Sequence, residues 1–302
     1  MFEQLQTAAQ LVAAEVAPST VSVGQDGRGS GFVVAENRVL TNAHNLRDRT
    51  TLITFADGRA EQAKTKGVDP IGDLVVVEVP TGDVAPLHWA TEPAALGDVV
   101  FAVSRGGHRA RVSFGLVAAV EQPFVGPRGR EVQGGIEHTA PLPRGSSGGP
   151  LVDSAGRVVA VNTHRVGNGF YLARPMDAAL RARVDELAEG RSVEPPSLGV
   201  ALAPSHVASR LRRSVGLPER EGLLVRGVVA ASPAARAGIG EGDLLVNAGG
   251  QALAGASDLH RVLEPLSVGD SLEIGLVRGV DEITVTVTLG DAAPAEEPAP
   301  AT

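Results

Sequence analysis

The stretch Gly145-Ser146-Ser147-Gly148-Gly149-Pro150 decides how this chain is read. A glycine two before a serine and two glycines after it let the backbone fold tightly around an exposed hydroxyl and turn several amides toward one point. Amides fixed there in advance meet the negative oxygen that develops during acyl transfer, often the largest single contribution to such a reaction. A serine hydroxyl is inert at neutral pH without a base to take its proton and a carboxylate to orient that base.

Both partners are found upstream. His44 closes the apolar run Val39-Leu40-Thr41-Asn42-Ala43-His44, and Asp73 opens Asp73-Leu74-Val75-Val76-Val77. Each therefore stands at a strand edge. The order His44, Asp73, Ser147 is the chymotrypsin order and excludes the subtilisin and α/β-hydrolase orders. Only one of the two adjacent serines fits the Gly-x-Ser-Gly-Gly frame, and that is Ser147. The amides of Gly145 and Ser147 are then the expected oxyanion donors, with Ser146 shaping the backbone. No His-x-x-x-His pair of the metal-binding kind occurs among the seven histidines, so no metal and no cofactor are expected.

Composition narrows the choices. A chain of 302 residues, 43% of them apolar, can form two or three units with cores. A net charge of −8, with only the lysines Lys64 and Lys66, argues against a nucleic-acid partner. The absence of cysteine excludes disulfides and thiolate metal sites. The N-terminus has no basic region followed by a long apolar stretch, so neither signal peptide nor membrane anchor is expected and a cytoplasmic location follows if Met1 is the true start.

Four motifs in order, Gly29-Ser30-Gly31-Phe32, Leu40-Thr41-Asn42-Ala43-His44, Asp69-Pro70-Ile71-Gly72-Asp73-Leu74 and Gly145-Ser146-Ser147-Gly148-Gly149-Pro150-Leu151-Val152, resemble the HtrA/Deg type of trypsin-like serine protease. The resemblance continues through Gly156 to Thr163 and into a C-terminal PDZ-like segment. It implies a mostly β fold, a chymotrypsin-like double β-barrel followed by a small α+β PDZ domain. It also implies Asp73, rather than Asp69, as the carboxylate that orients His44, with Asp69 capping the turn at Pro70. An extracytoplasmic location, usual for the family, is the alternative to the cytoplasmic one.

The expected organisation is an N-terminal helix over 1–18, a protease domain over 19–188, a linker over 189–196, a PDZ domain over 197–290 and a disordered tail over 291–302, rich in Ala, Pro and Glu. Phe2, Leu5, Ala9, Val12 and Val16 form one stripe of the helix. Packing on its own body is favoured over the homotrimer contact that the family suggests. From Thr20 to Ala173, short β-branched runs alternate with Gly, Pro and Asp-Gly turns, and Met176, Leu180, Val184 and Leu187 share one face of a closing helix.

The segment before Ser147 offers no acid for a pocket floor, and Leu142 suggests a short apolar pocket that favours small aliphatic residues. Thr163, His164 and Arg165 lie where a substrate backbone runs in trypsin-like folds. Arg144 stands where relatives usually carry proline, and a looser oxyanion loop is expected from it. Leu198-Gly199-Val200 matches the loop that holds a peptide carboxylate in PDZ domains. Ser257 is expected to cap a helix whose Leu259, Val262 and Leu263 line the groove or lie behind it. Together these features point to a serine endopeptidase of unfolded or damaged proteins, regulated by peptide C-termini. The contrasting readings are a catalytically silent chaperone or scaffold and a protease with one partner substrate.

Overall fold

The computed structural model describes residues 2–46, 50–125, 131–192, 196–203, 205–214, 216–263, 265–266 and 268–290. The expected tail and the middle of the expected linker lie outside them. The chain divides into two compact units, with the boundary at Val193 and Glu194.

The first unit opens with α1 (Phe2–Glu15) and continues into β1 (Thr20–Val23), β2 (Gly29–Ala35), β3 (Arg38–Asn42), β4 (Thr50–Thr54), β5 (Ala60–Asp69) and β6 (Leu74–Glu78), which close into an antiparallel barrel in the order β1-β2-β3-β6-β5-β4. A second barrel has the order β10-β11-β12-β9-β8-β7, from β7 (Val99–Gly106), β8 (Arg109–Val125), β9 (Glu131–His138), β10 (Pro150–Val152), β11 (Val158–Gly167) and β12 (Phe170–Pro175). Closure leaves no unpaired edge in either sheet. α2 (Ala178–Ala188) follows, with Asp177 as its N-cap accepting from the Leu180 amide.

The unbroken run Leu74-Val75-Val76-Val77 is explained by burial on both faces of β6. Val75 and Val77 fill the first barrel with Val21, Val39 and Ile53, while Leu74 and Val76 join Phe32, Leu40, Phe101 and Val103 in a core along the seam between barrels. The second barrel divides its side chains in the same way, with Val100 and Ala102 inside and Phe101 and Val103 at the seam. Each such fully buried side chain contributes roughly 1.5–3 kcal/mol. α1 and α2 close the seam core through Val12, Leu180, Val184 and Leu187, with Val16 just after α1. The N-terminal stripe is therefore packed on its own unit, although Phe2 is exposed. The buried Arg105 guanidinium ties this exit of α1 to β7 by donating to the carbonyls of Ala17, Thr20 and His108.

The second unit is a six-stranded sheet of β13 (Val200–Ala203), β14 (Leu223–Val228), β15 (Leu244–Ala248), β16 (Gln251–Ala252), β17 (Ser271–Arg278) and β18 (Asp281–Thr288), with β13 at one edge. It carries α3 (Ser205–Ser214), α4 (Pro233–Arg236) and α5 (Ala256–Leu263). α4 begins with Ser232 accepting from the Ala235 amide as N-cap and Pro233 in the first turn. One expectation fails: Ser257 is inside α5 rather than its cap. The helix entry is held instead by Asp258, whose carboxylate accepts from the amides of Ala254 and Gly255 at 2.9 and 2.8 Å.

Candidate active site

The register of β3 against β6 pairs Asn42 with Leu74, which places the next residues outward, Ala43-His44 and Asp73, side by side. The carboxylate of Asp73 accepts from the His44 backbone N–H at 2.9 Å and meets His44 Nδ1 at 2.6 Å. Its own carbonyl accepts from the Ala43 amide and the Asn42 side chain. This grip holds Asp73 at φ +54°, a left-handed conformation that Asp tolerates better than most residues. The Asp73 side chain is 6% exposed and that of His44 31%, so the carboxylate is buried while the imidazole is partly exposed. Asp69 accepts from the amides of Ile71 and Gly72 at 3.1 and 2.7 Å, the turn-capping place expected for it.

Ser147 lies in the turn that leads into β10. Its carbonyl crosses the seam to accept from the Ser30 amide and from Asn45 Nδ2, both at 2.9 Å. Asn45 follows His44 directly, so the serine and imidazole segments are bolted together. The amide of Gly148 donates to the Asn162 carbonyl at 2.7 Å. Ser147 Oγ donates to the Thr163 carbonyl at 2.8 Å. Ser146, by contrast, is 3% exposed, and its hydroxyl bonds back to the Pro143 carbonyl at 2.9 Å. Among the described residues, the amides of Gly145 and Ser147 have no hydrogen-bond acceptor.

A pocket of ≈ 340 Å³ adjoins Ser147, lined by Leu142, Pro143, Arg144, Gly145, Ser146, Thr163 and Tyr171. Among the described residues, no carboxylate lines it. Leu142 is largely turned into the second-barrel core, and Tyr171, which the sequence did not single out, supplies an aromatic wall. Its ring stacks on His138 with centroids 5.8 Å apart. His138 is fully buried, and burial pulls its pKa down to about 4 despite a hydrogen bond with Asn162. The backbones of His164 and Arg165 pair with Leu172 and Tyr171 in β12; their side chains lie outside the described residues.

In the second unit, Leu198 is buried in one core cluster with Leu259, Val262 and Leu263 of α5. Gly199 has φ +72°, and a Cβ there would collide with Ser232. The Gly199 amide donates to Ser197 Oγ at 3.0 Å. β13 pairs with β14 on one side and is the sheet's edge on the other.

The trypsin-like peptidase domain family matches residues 29–161, and the PDZ domain family matches residues 196–289. A putative serine protease of Synechocystis, HhoA, is 32% identical over 86% of this chain and 70% of its own length. A probable periplasmic DegP-like endoprotease of Halomonas elongata is 31% identical over 87% and 56%. The chain thus spans between about half and two thirds of the length of most such relatives. The solved structure of the HtrA-type protease AlgW with a tripeptide is 26% identical, with TM-score 0.56 and coverage of 95% of this chain and 98% of that one. A Yersinia pestis serine endoprotease, at 22% identity and TM-score 0.55, shares the fold. Two closed barrels, a His-Asp pair beside a serine in a glycine turn, and a following PDZ sheet are thus joined in one chain, which belongs to the HtrA-type trypsin-like serine proteases.

Proposed function

We propose that the chain hydrolyses peptide bonds in unfolded or damaged proteins, with Ser147 as nucleophile, His44 as general base and Asp73 as the carboxylate that orients it. The observation that carries this reading is the 2.6 Å contact of His44 Nδ1 with Asp73. An aspartate accepting from Nδ1–H leaves the lone pair on Nε2, the nitrogen that faces a nucleophile. The Ser147 hydroxyl turns its proton from the Thr163 carbonyl to His44 Nε2 as Oγ attacks the substrate carbonyl. The oxyanion takes the amides of Gly145 and Ser147. The proton then passes from His44 to the leaving amine as the C–N bond breaks, and water releases the acyl group by the same route.

The wall lined by Leu142, Tyr171 and Thr163 would receive the residue before the cut bond, and the β11 segment with Thr163, His164 and Arg165 would run beside the substrate backbone. Leu198, Gly199 and Val200 would hold a peptide C-terminus, and the free edge of β13 suits addition of one more strand. No helix among the described residues is long and apolar enough to cross a membrane. Relatives named periplasmic support an extracytoplasmic place of action.

A fluorophosphonate probe and casein digestion test the assignment. The wild type and Ser146→Ala should label and digest, and Ser147→Ala should do neither. Equal loss in both variants overturns the choice of serine. A wild type that neither labels nor digests points to the silent scaffold instead.

A further inference from the structure

The guanidinium of Arg174, on β12 of the second barrel, donates to the carbonyl of Gly72 in the first barrel, one residue before Asp73. Gly72 has no room for a side chain: a Cβ there would strike the Arg174 guanidinium and the Asp69 carboxylate. The turn from Asp69 to Asp73 is thus held twice, from within by Asp69 and from the other barrel by Arg174. Asp73 departs from this turn in the left-handed region, so its carboxylate direction depends on how the preceding peptide is fixed.

We propose that Arg174 is a positioning residue for the reaction. It clasps the Gly72 carbonyl, sets the aim of the Asp73 carboxylate on His44, and supplies a cation behind that pair. The proposal rests on the reading of His44, Asp73 and Ser147 as the triad.

The charged groups around the guanidinium come from every neighbouring element. Asp69 ends β5, Asp73 precedes β6, Asp177 caps α2, and Arg183 lies on α2. Burial lowers the Arg174 pKa while Asp69, Asp177 and Asp73 raise it again, and Arg183 lowers it slightly. Arg183 Nε approaches Asp69 only to 4.0 Å, so it does not replace the direct hold on Gly72. With Arg174 neutralised, three carboxylates face the site against one remaining cation. The field at His44 becomes more negative and favours the imidazolium, which cannot act as a base. The acidic limb of the rate profile must therefore move toward higher pH.

The full chain is compared with Arg174→Gln and Arg174→Lys in fluorophosphonate acylation rates from about pH 5 to 9, with kcat and KM on a peptide, and with the low-field Nδ1 proton resonance of His44. Arg174→Gln should lower kcat about tenfold, leave KM within about twofold, and raise the acidic midpoint by about half a unit. It should also broaden or shift the Nδ1 resonance. Arg174→Lys should lower kcat while keeping the midpoint, because it holds the charge without the planar fork. If Arg174→Gln does not fold at assay temperature, Arg174→Lys carries the test alone, and unchanged kcat overturns the proposal. So does an unmoved midpoint and resonance in a folded Arg174→Gln. A wild type that fails to acylate overturns the triad reading itself, a result separate from either.

Discussion

The hydroxyl of Ser30, in the first barrel, donates to the carbonyl oxygen of Gly145, in the second, at 2.8 Å. The same hydroxyl accepts from the Arg105 amide at 3.1 Å, and Ser30 is fully buried. Gly145 has φ +83°, and a Cβ on it would run into the Gly27 carbonyl. The loop carrying the proposed oxyanion donors is therefore pinned to β2 at Gly145 and closed on itself by the Ser146 to Pro143 bond, with Arg144 exposed between them.

Removal of the Ser30 hydroxyl leaves two buried backbone groups without their partner, each costing about 1–3 kcal/mol. Ser30→Ala is expected to lower kcat about tenfold, because a misaimed amide costs transition-state stabilisation, while KM stays within about twofold. Steady-state kinetics on a peptide substrate, with a thermal melt to confirm folding, checks this. A fall in Tm without a fall in kcat would make Ser30 a structural tie only.

His138 gives a pH dependence of stability. Asn162 Nδ2 donates to the Gly149 carbonyl at 3.1 Å, so its Oδ1 is an acceptor, and His138 Nε2, 3.0 Å from it, must carry the proton. Nδ1 is then a bare acceptor, buried without a partner. With the native pKa pulled down to about 4 and the unfolded value near 6.5, the unfolded chain binds a proton in this window that the native chain does not. Stability should hold above about pH 6.5 and fall by about 3 kcal/mol as pH drops toward 4. Urea unfolding across that range should show the loss, and His138→Phe should flatten it. The same slope in both proteins would remove His138 as its source.

The glycine turn around Ser147 and the strand-edge histidine and aspartate could be read locally because each motif carries its own backbone demand. The short apolar runs marked strands and the family resemblance supplied the two barrels, while the double-sided burial of β6 accounts for its unbroken valines. Ser30, Tyr171 and Arg174 were not readable in this way. Ser30 and Arg174 act on residues 115 and 102 positions away, and Tyr171 reaches the pocket through its pairing with His138 and Arg165. Only the closed barrels bring those partners together. Ser257 was misplaced because the helix already starts at Ala256, and Asp258, inside its first turn, reaches back to the amides of Ala254 and Gly255.

The pocket beside Ser147 bears on specificity. Among the described residues, its wall holds Leu142, Tyr171 and the exposed Arg144, and no acid. A lysine or arginine entering it would give up water without a counter-charge. In a peptide library, cuts after small aliphatic residues should therefore exceed cuts after Lys or Arg by at least about tenfold, with loose choice among the aliphatics, since one methylene changes affinity by about 1–3 kcal/mol. Sequencing of the cut sites by mass spectrometry checks this, and a dominant preference for basic residues would refute it.

The carboxylate turn proposed for the second unit is centred on Gly199. Its amide is spent on Ser197 Oγ, so a peptide carboxylate that uses this amide must first displace the hydroxyl. A peptide with a hydrophobic end and a free C-terminus should bind, and C-terminal amidation should weaken it by at least about tenfold by removing the charge that the amides receive. Ser197→Ala should tighten binding a few-fold, because the competing acceptor, worth about 1 kcal/mol, is gone. Titration calorimetry on the full chain measures all three. If the bound peptide also shifts the protease between two states, the coupling is limited to its differential affinity, about 1–3 kcal/mol, and peptidase rates should change by several-fold. Equal binding of amidated and free peptides would show that the Leu198-Gly199-Val200 turn is not a carboxylate site. Binding with no change in rate would leave the domain a tether for substrate.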